Sequence, residues 1–262
     1  MPGYGWISLT TDYGLSDGFV AACHGVVARL APAVRVLDVT HLVPPGDLGR
    51  GAAVLAQTVV DLPPAVHVAV VDPGVGTARR GVALQTPGGL LVGPDNGLLC
   101  WAADALGGTE RAVELTNSDW HAATVSHTFH GRDVFAPVAA RLALGAEFAD
   151  AGPSVDPASL VRLPDPVVGS GPGWLAAEVL SVDHFGNVQL AAPASALDGL
   201  GAALLVEGVP ARRAATFGDV PSGALAVLAD SAGRVALAVN GGRADALLSL
   251  VTGQVLRIAD AS

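Results

Sequence analysis

Along the first two-thirds of the chain, short apolar runs alternate with apolar positions at helical spacing. Ile7 to Thr11 is such a run, ending on polar residues, and it predicts a strand. Phe19, Val20, Cys23, Val26, Val27 and Leu30 then recur at helical steps, which predicts a helix with Ser16 as candidate cap. Val34 to Val39 predicts the next strand, and Asp47 is a candidate cap for a second helix through Val54, Leu55 and Val59. Val66 to Val71 lacks polar alternation, as expected of a strand buried on both faces. Further strands are predicted at Val82 to Gln85 and Leu90 to Val92, and a helix at Arg132 to Leu144. The strand–helix–strand order predicts an α/β N-terminal domain whose mostly parallel sheet carries helices on both faces.

Residues 151–173 change character, being rich in proline and glycine. Beyond them, short runs at Glu178 to Val182, Ala203 to Val206, Leu225 to Leu228 and Arg234 to Val239 alternate with turns. The reading is an α/β domain over residues 1–163, a linker over 164–173, and a smaller, mostly-β C-terminal domain over 174–262.

Composition narrows the function. A chain of 262 residues buries a core without disulfides, and Cys23 and Cys100 stand apart in no metal-like spacing. They predict small buried thiols in a reducing cytoplasm. MPGYGWISLTTD shows no basic segment leading into an apolar one, so no secretory signal is expected, and no apolar run is long enough to cross a membrane. The formal charge of −10 disfavours nucleic acid and anionic membrane as partners. All 14 basic residues are arginine, which excludes Schiff-base and P-loop lysine chemistry.

Ligands of open parallel sheets bind at the carboxyl ends of the strands. Asp12 in TTDYG, Asp38 in LDVTH and Asp72 in VVDPGVG fall there, and each is open to reading as a site residue or as a turn or cap former. In VVDPGVGTARR, Asp72 and Arg79 can meet across a thin glycine loop, either as chemistry or as an ion pair holding the loop, with Arg80 beside them. TVSHTFHGRD brings His127, His130, Arg132 and Asp133 just before a helix. Two histidines three apart suit a metal; alternatively Asp133 caps the helix and one histidine packs. SVDHFGNVQL sets Asp183 beside an aromatic turn, which suits a nucleobase or amino-acid pocket and equally a hairpin. His24, His41, His67 and His121 read as structural or surface residues.

Taken together, TTDYG, VVDPGVGTARR, GPDNGLL, TFHGRD, DHFGN and DSAGRVALAVNGGRA resemble, in order and over nearly the whole chain, the S-adenosyl-L-methionine hydroxide adenosyltransferases (SAM hydrolases, the DUF62 family), relatives of the adenosyl fluorinase and chlorinase. The resemblance implies that water or hydroxide attacks C5′ of S-adenosyl-L-methionine, releasing adenosine and L-methionine. It implies an Asp72–Arg79–His130 catalytic set, Asp12 on the ribose diol, and Asp183 and Ser231 at the methionine end. Thr128, Phe129, Phe185, Asn187 and Asn240 lie in substrate-walling segments. It also implies a homotrimer whose sites form between the N-domain of one subunit and the C-domain of its neighbour. A sulfonium is an activated leaving group, so no cofactor and no metal are expected. Asp72 would orient water, Arg79 stabilise hydroxide-like charge, and His130 accept or relay a proton.

Three other readings stand beside it. A halogenase would use chloride or fluoride, and the small Gly131 would leave room for chloride, whereas the Asp72 carboxylate would repel it. A non-catalytic S-adenosyl-L-methionine or adenosine binder would need no water-activating set. A metal-dependent hydrolase would use Asp12, Asp72, His127 and His130 as ligands.

Overall fold

The computed structural model describes residues 3–261; Met1, Pro2 and Ser262, at the outer ends of the two expected domains, lie outside the described residues. The chain divides into two compact units, residues 1–163 and 164–262.

The first unit runs β1 (Trp6–Thr11), α1 (Phe19–Leu30), β2 (Arg35–Thr40), α2 (Leu48–Val59), β3 (Val66–Val70), β4 (Gly81–Thr86), β5 (Gly89–Pro94), α3 (Cys100–Ala105), β6 (Arg111–Glu114), a π-turn (Gly131–Phe135), α4 (Ala136–Ala143) and β7 (Ser154–Val155). Its sheet has the order β2-β1-β3-β5-β4-β6-β7. The alternation of side chains along each strand feeds two cores. Ile7, Leu9, Val66, Val68 and Val70 meet Val26 and Val27 of α1 and Val138 and Leu142 of α4 on one face. Ala69, Leu84 and Leu91 meet Leu55 and Val59 of α2 and Ala102 and Ala103 of α3 on the other.

The sheet is mixed, which corrects the expectation of a mostly parallel one. β2, β1, β3 and β5 run parallel, while β4, β6 and β7 join antiparallel. The reason lies in the connection: β4 reaches β5 through Pro87 and Gly88 alone, and a parallel crossover needs a dozen residues or more.

Asp47 caps α2, accepting the Arg50 N–H at 2.9 Å. Ser16 caps nothing, because α1 starts after Gly18 and has no side-chain cap. The helix expected from Arg132 to Leu144 opens as the π-turn before continuing as α4.

The second unit contains β8 (Val168–Gly171), β9 (Trp174–Val182), β10 (Val188–Pro193), β11 (Ala203–Val206), β12 (Val209–Arg213), β13 (Leu225–Ala229), β14 (Arg234–Val239), α5 (Ala244–Leu248) and β15 (Val255–Asp260). Strands β10-β14-β13-β12-β11-β15-β9 follow in order, and β9 pairs back onto β10, closing a barrel around Leu175, Val179, Leu190, Val206, Leu237 and Ile258. Closure leaves no free edge within the ring. The linker is shorter than expected, because β8 pairs with β9 over Val168 to Gly171.

One buried residue sets an acid limit on stability. His67 of β3 is 1% exposed, and its Nδ1 lies 2.8 Å from Ser8 Oγ on the adjacent β1. Burial pushes its pKa down from 6.5 to about 4. The folded state therefore keeps His67 neutral where the unfolded chain protonates it. Its contribution is intact above pH 6.5 and is lost as pH falls towards 4, amounting to about 3 kcal/mol there. Replacing His67 with Gln should flatten the decline of Tm between pH 7 and 4. An equal decline in the variant would assign the acid sensitivity to other groups.

Candidate active site

The site residues of the first unit gather at one edge of its sheet. Asp12 follows β1 directly and Asp72 lies just past β3. Because β4 is antiparallel to β5, its start lies at the carboxyl end of β5, which brings Arg79, two residues before β4, to the same edge.

The 72–80 loop is fastened at both ends. Asn96 Nδ2 donates to Val71 O at 2.8 Å, and Arg80 Nε donates to the buried Asp95 carboxylate at 2.8 Å. In its middle, Gly76 takes φ +76°, and a Cβ there would meet His127 O at 2.3 Å, so only glycine lets this loop lie against the next one.

Within that frame Arg79 Nε stands 3.0 Å from each Asp72 oxygen, and Nη2 also reaches Oδ2. The two side chains are only 13% and 5% exposed, so this is not the solvated surface pair that would contribute little. Arg79 Nη2 also lies 2.9 Å from His130 Nδ1. A guanidinium only donates, so His130 Nδ1 accepts and the neutral ring carries its proton on Nε2. Burial lowers the His130 pKa, and the Arg79 charge lowers it further, with Asp72 opposing. His130 is therefore neutral near pH 7 and is set to donate from Nε2. With Arg79 on the accepting nitrogen, His130 is arranged to relay a proton through Nε2.

His130 precedes the π-turn, and Asp133 holds the loop that leads to it. Asp133 Oδ2 accepts Ser126 N–H at 2.9 Å, its backbone O accepts Ala122 N–H at 2.8 Å, and Arg132 Nε donates to Oδ1 at 2.6 Å. Burial raises the Asp133 pKa, but Arg132 and the Ser126 N–H outweigh it and hold the carboxyl below its usual range. Asp133 is thus a loop anchor and not the helix cap.

Thr128 is exposed beside Ser126, and Phe129 packs edge-on to Tyr13 and Phe19 at centroid distances of 5.6 and 5.2 Å. Tyr13 and Phe19 were missed in the sequence; their adjacency to Asp12 in TTDYGLSDGF was the available signal. Burial, reinforced by Cys23, Asp12 and Asp72, raises the Tyr13 pKa, so its phenol is neutral. A Cβ at Gly131 would lie 2.0 Å from Tyr13 Oη. The room expected beside Gly131 is filled by that phenol.

Asp12 Oδ2 accepts Gly46 N–H at 2.9 Å, which turns its carboxylate towards the loop after β2. Asp38 instead joins His24 and His41. Among the described residues, Asp12, Asp72, His127 and His130 do not assemble into a compact ligand set.

In the second unit Asp183 shapes the turn after β9. Its Oδ1 accepts from Phe185 N at 2.8 Å and Asn187 N at 2.9 Å, and its Oδ2 accepts from Asn187 Nδ2 at 2.8 Å. Phe185 is held outward, 72% exposed. Val188 pairs with Leu237, so Asn240, just past β14, lies at the same barrel end. Arg243, also missed, binds His184 O there at 3.0 Å. Ser231 lies in the turn before β14, and its neighbour Asp230 accepts from Gln189 Nε2 of β10, two residues past Asn187.

Comparison with known proteins places the chain in a family. Family models for the SAM hydroxide adenosyltransferase N-terminal and C-terminal domains match residues 7–152 and 177–257. The (R)-S-adenosyl-L-methionine hydrolase of Salinispora arenicola is 68% identical over 253 residues, 97% of each chain. A fluorinase of an Actinoplanes species is 30% identical over 213 residues, 70% of each chain. An uncharacterised conserved protein from Thermotoga maritima superposes with a TM-score of 0.90 at 34% identity, covering 97% of this chain and 99% of that one. With both domain models matched in order and a hydrolase relative aligned almost end to end, the chain belongs to the SAM hydroxide adenosyltransferase family.

Proposed function

We propose that this enzyme hydrolyses (R)-S-adenosyl-L-methionine to adenosine and L-methionine, with Asp72, Arg79 and His130 activating the water. The observation that carries the reading is the continuous Asp72–Arg79–His130 contact at the carboxyl edge of the sheet. A binder has no use for a buried carboxylate clamped by arginine beside a neutral imidazole.

In the reaction, water oxygen bonds to C5′ while the C5′–S bond breaks and its electron pair stays on sulfur, giving the neutral thioether of methionine. The water proton passes to Asp72 and then to solvent. Asp72 retains lone-pair positions beyond those facing Arg79 and so can accept from the water. His130 donates from Nε2 to the water oxygen, fixing its lone pair towards carbon. Arg79 orients the Asp72 carboxylate and steadies the hydroxide-like charge as it develops. Aromatic faces such as Tyr13 and Phe129 suit a sulfonium cation and an adenine ring. The substrate brings its own leaving group, so the scheme uses no cofactor and no metal.

The halogenase alternative is disfavoured on physical grounds. An anion beside Asp72 in a poorly solvated site meets repulsion of several kcal/mol. The position opposite Gly131 holds a phenol.

Asp12 is assigned to the ribose diol, Asp183 and Ser231 to the methionine end, and Phe185, Asn187 and Asn240 to the substrate wall. Replacing Asp12 with Ala should raise KM by about 100-fold and leave kcat within a few-fold, since the lost contact exists equally in ground and transition states. A fall in kcat without change in KM would move Asp12 into the water-activating group. The proposed assembly is a homotrimer with shared sites, located in the cytoplasm. Exposed Leu15 and Leu42 near Asp12, and exposed Phe185 in the other unit, are apolar surfaces suited to burial in such an assembly. The two thiols are buried and unpaired, in keeping with a reducing compartment.

The reading is tested by incubating chelator-treated protein with each sulfonium epimer of S-adenosyl-L-methionine and following adenosine by chromatography. Adenosine forming from the (R) form without added metal is expected. Saturable binding with no turnover would make the chain a binder, and activity recovered only with a divalent ion would restore the metal reading.

A further inference from the structure

His24, Asp38 and His41 take no part in the chemistry above, yet they converge from two segments. His24 projects from α1, Asp38 from β2, and His41 from the residue just after β2. One ligand atom of each lies within 4.8 Å of the other two. His24 Nε2 is 2.8 Å, and His41 Nε2 3.0 Å, from the same oxygen, Asp38 Oδ1.

The His41 ring is the decisive part. Its side chain is 4% exposed, and its Nε2 is buried with no hydrogen-bond partner, because Asp38 Oδ1 is near but out of line. A buried polar nitrogen without a partner is costly. Its other nitrogen, Nδ1, lies 2.8 Å from Thr11 Oγ1. When Nδ1–H donates to that hydroxyl, Nε2 presents a lone pair towards His24 and Asp38. Metal-bound histidines are oriented by this kind of outer contact.

From this we infer that His24, Asp38 and His41 form a binding site for a transition-metal dication of the zinc class. Two imidazoles and one carboxylate suit zinc and its neighbours better than magnesium or calcium, which prefer oxygen throughout. Ligands around a tetrahedral zinc stand about 3.3 Å apart, so the present 2.8 and 3.0 Å separations need only a slight opening. His24 and Asp38 are 37% and 41% exposed, which gives the ion an entry path and water the fourth position. The bound ion would pin α1 to the end of β2 and, through Thr11, support the loop carrying Asp12. None of the three ligands belongs to the water-activating set, although His41 lines a small cavity together with Tyr13 and Gly131.

The test is calorimetric titration of zinc chloride into the chelator-stripped full chain, paralleled by visible absorption after cobalt(II) addition. One zinc per chain is expected, with the absorption of four-coordinate cobalt and a Tm that rises with zinc concentration. His24→Ala and Asp38→Asn, both at accessible side chains, should each weaken binding about 100-fold or more, while His184→Ala should leave it unchanged. Absence of saturable binding would overturn the inference. So would binding that survives both ligand substitutions, since the zinc would then reside on other histidines.

Discussion

Asp72→Asn is expected to lower kcat by about 1,000-fold while substrate affinity changes only a few-fold. The carboxylate faces Arg79 through both oxygens. An amide keeps the shape, but it sets an N–H group against the guanidinium and cannot take the proton of attacking water. Ground-state binding of a sulfonium substrate depends little on that proton transfer, so the loss falls on the transition state. The same change leaves a buried arginine charge without its counter-ion, which costs about 3–5 kcal/mol when a buried pair is broken. Circular dichroism and Tm must therefore accompany the kinetics. A folded variant that turns over at the wild-type rate would remove Asp72 from the chemistry. One that loses affinity and kcat in equal measure would make it a binding residue.

Gly131→Ala is expected to reduce kcat/KM by about 10–100-fold through Tyr13. The added Cβ would sit 2.0 Å from Tyr13 Oη and 3.0 Å from its ring carbon, so the ring must leave its place beside Phe129. Overpacking of this kind costs about 1–3 kcal/mol. The cause is checkable by a double-mutant cycle. Tyr13→Phe removes the closest atom, so the pair of changes should be less harmful than the sum of the single ones. Strict additivity would show that Gly131 matters for a reason other than its contact with Tyr13.

The features legible in the sequence were those written in local pattern. The run Ile7 to Thr11 and the Asp47 cap of α2 are complete within a few positions, and the structure shows β1 over Trp6–Thr11 and the Asp47 cap. The antiparallel direction of β4 was legible too, in the two-residue connection Pro87–Gly88, but the alternation of strands and helices concealed it. Asp72 and Arg79 lie seven residues apart, so a loop of ordinary size brings them together. His130, 51 residues beyond Arg79, joins them only through the tertiary fold, and family resemblance was what pointed to it.

Other features had no local signature. Ser231 and Asn240 look like neighbours along the chain, yet β14 lies between them, with Ser231 before its start and Asn240 after its end. Phe19 read as an ordinary helix position and Tyr13 carried no reading of its own until the loop places both against Phe129. The tautomer of His130 depends on which atom of Arg79 reaches which ring nitrogen, which spacing does not encode.

The central claim is that water is the nucleophile at C5′. It is tested most directly by turnover of (R)-S-adenosyl-L-methionine in oxygen-18 water with high chloride present, followed by mass spectrometry of the nucleoside product. The account predicts adenosine carrying the heavy oxygen in its 5′-hydroxyl, with L-methionine unlabelled. Accumulation of 5′-chloro-5′-deoxyadenosine as the main product would contradict it and make the enzyme a halogenase.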